Sequence, residues 1–183
     1  MRYINRRKGM YLIKKDINDL NTEIEVTFEK VVEDLLMVTV KNNLDSENIL
    51  SYWRLTQVQG IPPLELGIDC EKELVSSVVF YIDTTYFKVI DIKDFKMSLG
   101  NVVLDSNIFN KRNDYIDIDD GYSVAISDDR LICQFNFSKS FNEAYKNGRF
   151  EIYLNEDQQV CGFSISNLLE DEINQIKSIK KNN

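Results

Sequence analysis

The sequence of 183 residues contains no histidine. That absence removes the Ser-His-Asp and Cys-His arrangements, histidine acid–base catalysis and every histidine metal site. Glycine is scarce, with seven in all. Neither GxxxxGK[ST] nor GxGxxG occurs among them, which excludes the phosphate cradles built on those loops. The nucleophile elbow GxSxG is missing as well. The three cysteines form no CxxC pair, and with histidine absent this argues against a zinc site. Alanine, the best helix former, appears only at Ala125 and Ala144. Val, Ile, Phe, Tyr and Thr, which fit pleated surfaces, are plentiful, so composition leans toward β. No stretch approaches 18 apolar residues, so no membrane-spanning helix is expected. The first residues carry the charge of a signal peptide's leading region, but the apolar run at 10–13 is too short to follow it. A cytoplasmic protein is expected.

Apolar residues make up 43% of the chain and charged residues 28%, the balance of an ordinary globular protein. The reading is one β-rich domain over 1–183 with basic N-terminal and C-terminal ends. A chain of this size buries about two-thirds of its unfolded surface and needs no disulfide or metal staple. The net charge of −8 understates the acidity. All 30 acidic residues lie between Asp16 and Glu172, whereas six of the 22 basic residues fall in the first fifteen and three lie beyond Ile176. Such a body repels phosphate backbones and attracts cationic partners. A basic protein partner is therefore expected, and no nucleic acid or membrane.

Hydrophobic alternation predicts mainly β structure: antiparallel hairpins and meanders in a β-sandwich or barrel-like sheet, with a C-terminal α-helix. Residues 115–119 and 122–127 alternate around Asp120-Gly121. A three-residue loop over 120–122 would pair Ile118 with Val124 and Ile116 with Ile126, keeping both apolar sets on one face. A turn at Asp128-Asp129 then pairs Ile126 with Leu131, Val124 with Cys133 and Tyr122 with Phe135. A turn at Asp157-Gln158 pairs Leu154 with Cys161, Ile152 with Phe163 and Phe150 with Ile165. Near the N-terminus Ile24, Val26 and Phe28 face Val38 and Val40 across Glu33-Asp34. A fourth hairpin joins 74–82 to 87–92 as central strands buried on both faces. Residues 49–57 fit either helix or strand, and 141–146 a helical turn. Asn167 to Glu170 reads as a capping box before a helix with Leu169, Ile173 and Ile176 on its buried stripe. Residues 60–67, with Pro62-Pro63, read as a packed loop. No strict internal repeat is present, only an echo between 115–127 and 151–166.

Carboxylates are the chemistry that remains. Asp114, Asp117, Asp119, Asp120, Asp128 and Asp129 cluster without a Lys or Arg among them. Hard cations want several oxygens, but the spacing is not that of an EF-hand loop, because Gly121 would need a ligand at Ile116. No metal and no cofactor are assigned. Cys133 and Cys161 fall on apolar strand faces and read as core. Cys70 sits among acidic residues, a poor setting for a nucleophile. The favoured reading is a non-catalytic protein-binding module. Asp117, Asp119, Asp120, Asp128 and Asp129 serve as its charge partners, and Tyr115 and Tyr122 as its aromatic anchors. Tyr52, Trp53 and Tyr86 are further aromatic candidates. In being small, acidic and free of catalytic motifs the chain is similar to bacterial immunity proteins that block nuclease toxins. Its Asn-, Ile- and Lys-rich composition suits an AT-rich bacterial genome. Rival readings are a β-domain that binds a small ligand or sugar, and a carboxylate-dependent enzyme. An open sheet edge would offer a homodimer contact.

Overall fold

A computed structural model describes residues 11–19, 21–44, 48–56, 62–90, 95–110, 113–127, 129–138 and 140–180. Expectations resting on residues 2–10, Gln57, Gly60, Ile61, Ile92, Asp128 and Lys181 fall outside the described residues. Among those described, fourteen strands form two six-stranded sheets and one two-stranded ribbon, with a single α-helix at the C-terminal end. The sheets stack face to face as a sandwich.

The first sheet begins with the expected hairpin of β2 (Glu23–Val32) and β3 (Leu35–Asn43), in which Val26 pairs with Val40 and Phe28 with Val38. It continues through β6 (Leu74–Ile82), β5 (Leu64–Asp69) and β4 (Ser51–Leu55) to β9 (Tyr115–Ile118), which runs parallel to β4. Residues 51–55 are thus strand. β6 is central and Leu74 and Val75 at its start are both buried, but from Ser77 onward only Val78, Phe80 and Ile82 are sealed while Ser77, Val79 and Tyr81 are half-exposed. Its expected partner does not form over 87–90, the described part of 87–92. Asp83 accepts the Thr85 N–H at 2.7 Å and starts a tight 3-10 turn, Thr84–Tyr86, and the edges of β6 are already taken by β3 and β5.

The second sheet runs β10 (Tyr122–Ser127), β11 (Arg130–Phe135), β14 (Val160–Ile165), β13 (Phe150–Leu154), β12 (Glu143–Asn147) and β7 (Lys96–Leu99), the last parallel to β12. The β10–β11 register is the expected one. In β13–β14, Ile152 meets Phe163 and Phe150 meets Ile165, but Leu154 meets Val160 instead of Cys161 because a bulge follows Tyr153. Residues 143–147 are strand, not a helical turn.

The expected β9–β10 hairpin is absent. β9 lies in the first sheet and β10 in the second, so residues 119–121 cross between sheets. Beside β4, Ile116 and Ile118 extend the row of Trp53 and Leu55, and Ile116 is buried there. Trp53 stacks on Phe135 at 5.5 Å and Phe80 meets Phe163 at 5.1 Å, joining the inner faces in one core. The ribbon of β1 (Lys14–Asn18) and β8 (Asn101–Leu104) adds Leu12, Val102 and Leu104 to that core. The helix α1 (Glu170–Lys180) packs against β2 and β3 through fully buried Ile176 and Ile179. Leu169 is exposed, and Leu168 is buried in its place. The cap lies two residues later than expected. Asn167 is left-handed (φ 54°), and Glu172 accepts the Leu169 N–H at 2.8 Å.

The two sheets share one path. Each takes five consecutive strands in the order first-second-fifth-fourth-third and adds a sixth parallel to the third. Both carry a bulge between the fourth and fifth strands, after Gly67 and after Tyr153. Aligning these bulges matches Val40 with Cys133, Val78 with Phe163, Leu66 with Ile152 and Trp53 with Tyr145, all buried. The echo between 115–127 and 151–166 is therefore not the repeat, since those strands occupy different places in the path.

The outer faces differ. On the second sheet Ile132, Phe141, Ala144, Tyr153 and Cys161 form a satellite core, against which Ile90 and Phe95 pack. On the first sheet Glu25, Thr27, Glu29, Tyr115 and Asp117 are exposed, and Tyr52, Arg54 and Glu65 half-exposed.

Candidate interaction surface

The parallel register of β4 and β9 sets Tyr52 beside Tyr115 and Arg54 beside Asp117 on the open face of the first sheet. Successive side chains of a strand point to opposite faces, so the two pairs share one side. The Tyr rings stack, with centroids 5.2 Å apart. The Arg54 guanidinium lies 4.7 Å from the Tyr115 ring centre, within cation–π range. Its Nε and one terminal nitrogen donate to the Asp117 carboxylate at 2.6 and 3.0 Å, and Glu65 stands 3.6 Å away. Hydrogen bonding to Asp117, with the charge of Glu65 behind it, lifts Arg54 above its ordinary pKa despite partial burial. Burial first, and then Tyr115 and Glu65, raises the Tyr52 phenol. Tyr115 remains 50% exposed. The result is a rigid aromatic pair with a fixed cation, edged by carboxylates. Such groups give contact area at low entropic cost.

The sequence-predicted residues divide. Asp119 is exposed and Asp120 half-buried, at the end of β9 beside Asp117. The Asp120 carboxylate accepts the Gly121 N–H at 2.7 Å. Asp114 is absorbed by its own turn, accepting the Asn110 and Tyr115 N–H groups. Asp129 is exposed beyond the far end of β10, about 17–20 Å from Asp120 for a six-residue strand. Asp128 lies outside the described residues. Tyr122 is only 2% exposed, and its hydroxyl donates to the Tyr81 carbonyl at 2.5 Å and accepts the Tyr81 N–H at 3.2 Å. It ties the sheets together from inside and presents no surface. Trp53 is likewise internal, and the Tyr86 side chain is outside the described set. Arg54 escapes the sequence reading. Its signal is the matched spacing of Tyr52-x-Arg54 and Tyr115-x-Asp117, legible only once the strands are known to be neighbours.

Two further polar clusters lie on the second sheet, and in the first of them one Glu151 carboxylate oxygen has no hydrogen-bond partner among the described residues. Fully buried Glu151, the counterpart of Glu65, accepts from Ser164 Oγ (2.8 Å) and Tyr153 OH (3.1 Å). Lys146 Nζ stands 3.3 Å from it and Arg130 3.5 Å. Lys14 Nζ donates to Tyr145 OH (2.9 Å) and Glu143 (3.2 Å), while Tyr145 OH donates to Glu143 at 2.6 Å. Cys133 and Cys161 are buried as expected. Burial pushes the Cys161 thiol up to about 12 and Cys133 well above its ordinary value, so neither forms a thiolate near neutrality. Among the described residues no three His, Cys, Asp or Glu converge to hold a metal ion, and no helix is long and apolar enough to cross a membrane.

No protein-family model matches the chain, and no curated protein shows significant similarity to it.

Proposed function

We propose that the chain is a non-catalytic protein-binding module that works in the cytoplasm and captures a basic protein, as a bacterial immunity-type protein neutralises a toxin. The observation that carries this is the Tyr52–Tyr115–Arg54 platform on an uncovered sheet face, with Asp117, Asp119 and Asp120 at its margin. Tyr and Arg are the residues that most often dominate binding energy, and a ring of acids steers a cationic partner to them. The acidic excess of the body supplies the long-range part of that attraction.

The test is capture from a bacterial lysate at low and high salt, with identification of the retained protein by mass spectrometry. The wild-type chain is expected to hold one basic protein at low salt and lose it at high salt. Tyr115→Ala is expected to weaken the purified pair by about ten-fold or more, and Asp119→Asn with Asp120→Asn to slow association chiefly. Affinity unchanged in both variants would remove this surface from the interface.

A further inference from the structure

The shared path of the two sheets exposes a difference at one edge. In the second sheet the edge strand is β10, and its free side is occupied by the chain itself. Phe87 bridges Val124 in parallel, and the Lys88 N–H donates to the Val124 carbonyl at 2.9 Å. Phe87 packs on the core and Lys88 is exposed. The matched registers make Val26 of β2 the counterpart of Val124, since each pairs with the second strand at the equivalent residue, Val40 or Cys133. Among the described residues nothing pairs with the free side of β2.

β2 is ten residues long, and a free edge presents unpaired N–H and C=O groups along its length. Glu23, Glu25 and Glu29, with Thr27, point to the open face, while Ile24, Val26 and Phe28 point inward and are only half-buried. Lys41 of β3 is paired with Glu25 and Lys30 follows Glu29, so the three glutamates leave an acidic excess at this edge and not a uniform charge. Charge at an edge deters aggregation, and an excess of one sign also selects. A second copy paired antiparallel about Thr27 would set Glu25 against Glu29, and one paired about Val26 would set Glu23 against Glu29. Like charges directly opposite are unfavourable. An extended cationic segment meets the opposite situation on the open face, where Glu23, Glu25 and Glu29 lie.

We infer that the free edge of β2 takes up an extended segment of a partner protein in which cationic and apolar side chains alternate. Its apolar side chains continue the row of Ile24, Val26 and Phe28, as Phe87 does beside Val124. Its Lys or Arg side chains lie over Glu25 and Glu29, as Lys88 lies outside. This edge stands about 24 Å from β9, five strand spacings away, so it does not depend on the platform described above.

The experiment titrates the full chain with a ten-residue peptide alternating Val and Lys, and with its Val–Glu counterpart, following amide hydrogen exchange. The Lys peptide is expected to bind and to slow exchange in residues 23–32 while leaving β9 unchanged. Glu25→Lys with Glu29→Lys is expected to weaken that peptide about ten-fold and to admit the Glu peptide. Glu25→Gln with Glu29→Gln, checked for folding by thermal melt, is expected to fall between. Protection at β9 alone would overturn the inference and leave the platform reading standing. So would undiminished binding by the reversed variant, or protection of β2 by self-association without peptide.

Discussion

Glu65 and Glu151 occupy matched places in the two sheets, and each faces a cation across the neighbouring strand, Arg54 or Lys146. Their surroundings make them unequal. Glu65 lies on the open face, about a third exposed, where water screens the pair and its net worth is below about 1 kcal/mol. Glu151 is sealed, with two hydroxyls and two cations turned toward it. Removing one partner of a buried ion pair costs about 3–5 kcal/mol. Lys146 and Arg130 are each about a quarter exposed and can still reach water, which places Glu151→Ala at the lower end, about 3 kcal/mol. Urea denaturation of Glu65→Ala and Glu151→Ala is expected to separate the two clearly. Equal losses would show that burial does not distinguish the sites.

At the scale of elements, what was legible depended on the distance along the chain between partners. β2–β3 and β10–β11 are closed by short turns, and period-two alternation fixes their registers within a few residues of the turn. β7 and β9 find parallel partners far away in sequence, Tyr115 beside Tyr52 and Lys96 beside Glu143. No turn residue announces such a pairing, and the acidic stretch at Asp120-Gly121 imitates a hairpin that does not form. The candidate surface was half legible for the same reason. Tyr115 and Asp117 stand out in the sequence, whereas Arg54 joins them only through that parallel pairing. The helix start shows a local signal displaced by backbone conformation. With Asn167 left-handed, Glu172 reaches back to Leu169 and is gripped by both terminal nitrogens of Arg149 at 3.2 and 2.5 Å. Glu172→Ala therefore loses a cap and a partly buried ion pair together, an expected cost of about 1–2 kcal/mol. Glu170→Ala, exposed on the first turn, is expected to change stability by less than about 0.5 kcal/mol. Thermal melts giving the reverse order would return the cap to Asn167 and Glu170.

At the scale of the whole molecule, β1 is the seam between the two halves. Lys14 Nζ reaches Glu143 on β12 of the second sheet, and Lys15 Nζ reaches Glu73 at the turn leading into β6 of the first, at 2.7 Å. Burial opposes the charge on Glu143, but hydrogen bonds from Tyr145, Gln158 and Lys14 outweigh it and hold its pKa below the ordinary value of 4.5. The Lys15 hydrogen bond does the same for Glu73 against partial burial. A carboxyl group whose pKa is lower in the folded state binds fewer protons there than in the unfolded chain. Its stabilisation is fully present above 4.5 and is lost as pH falls through the lowered folded value. Lys14 and Lys15 are shifted upward, so their contribution holds below 10.5 and fades only as pH rises through their raised values. Both ties of β1 thus fail together on the acid side. Denaturant midpoints are expected to be level near neutrality and to drop below about pH 4.5, with amide exchange in β1 and β8 rising before that of the two sheets. Glu73→Gln with Glu143→Gln should lower stability at pH 7 and flatten the acid drop, because the groups that take up the protons are gone. An acid limb as steep in the double variant as in the wild type would place the proton uptake elsewhere among the carboxylates.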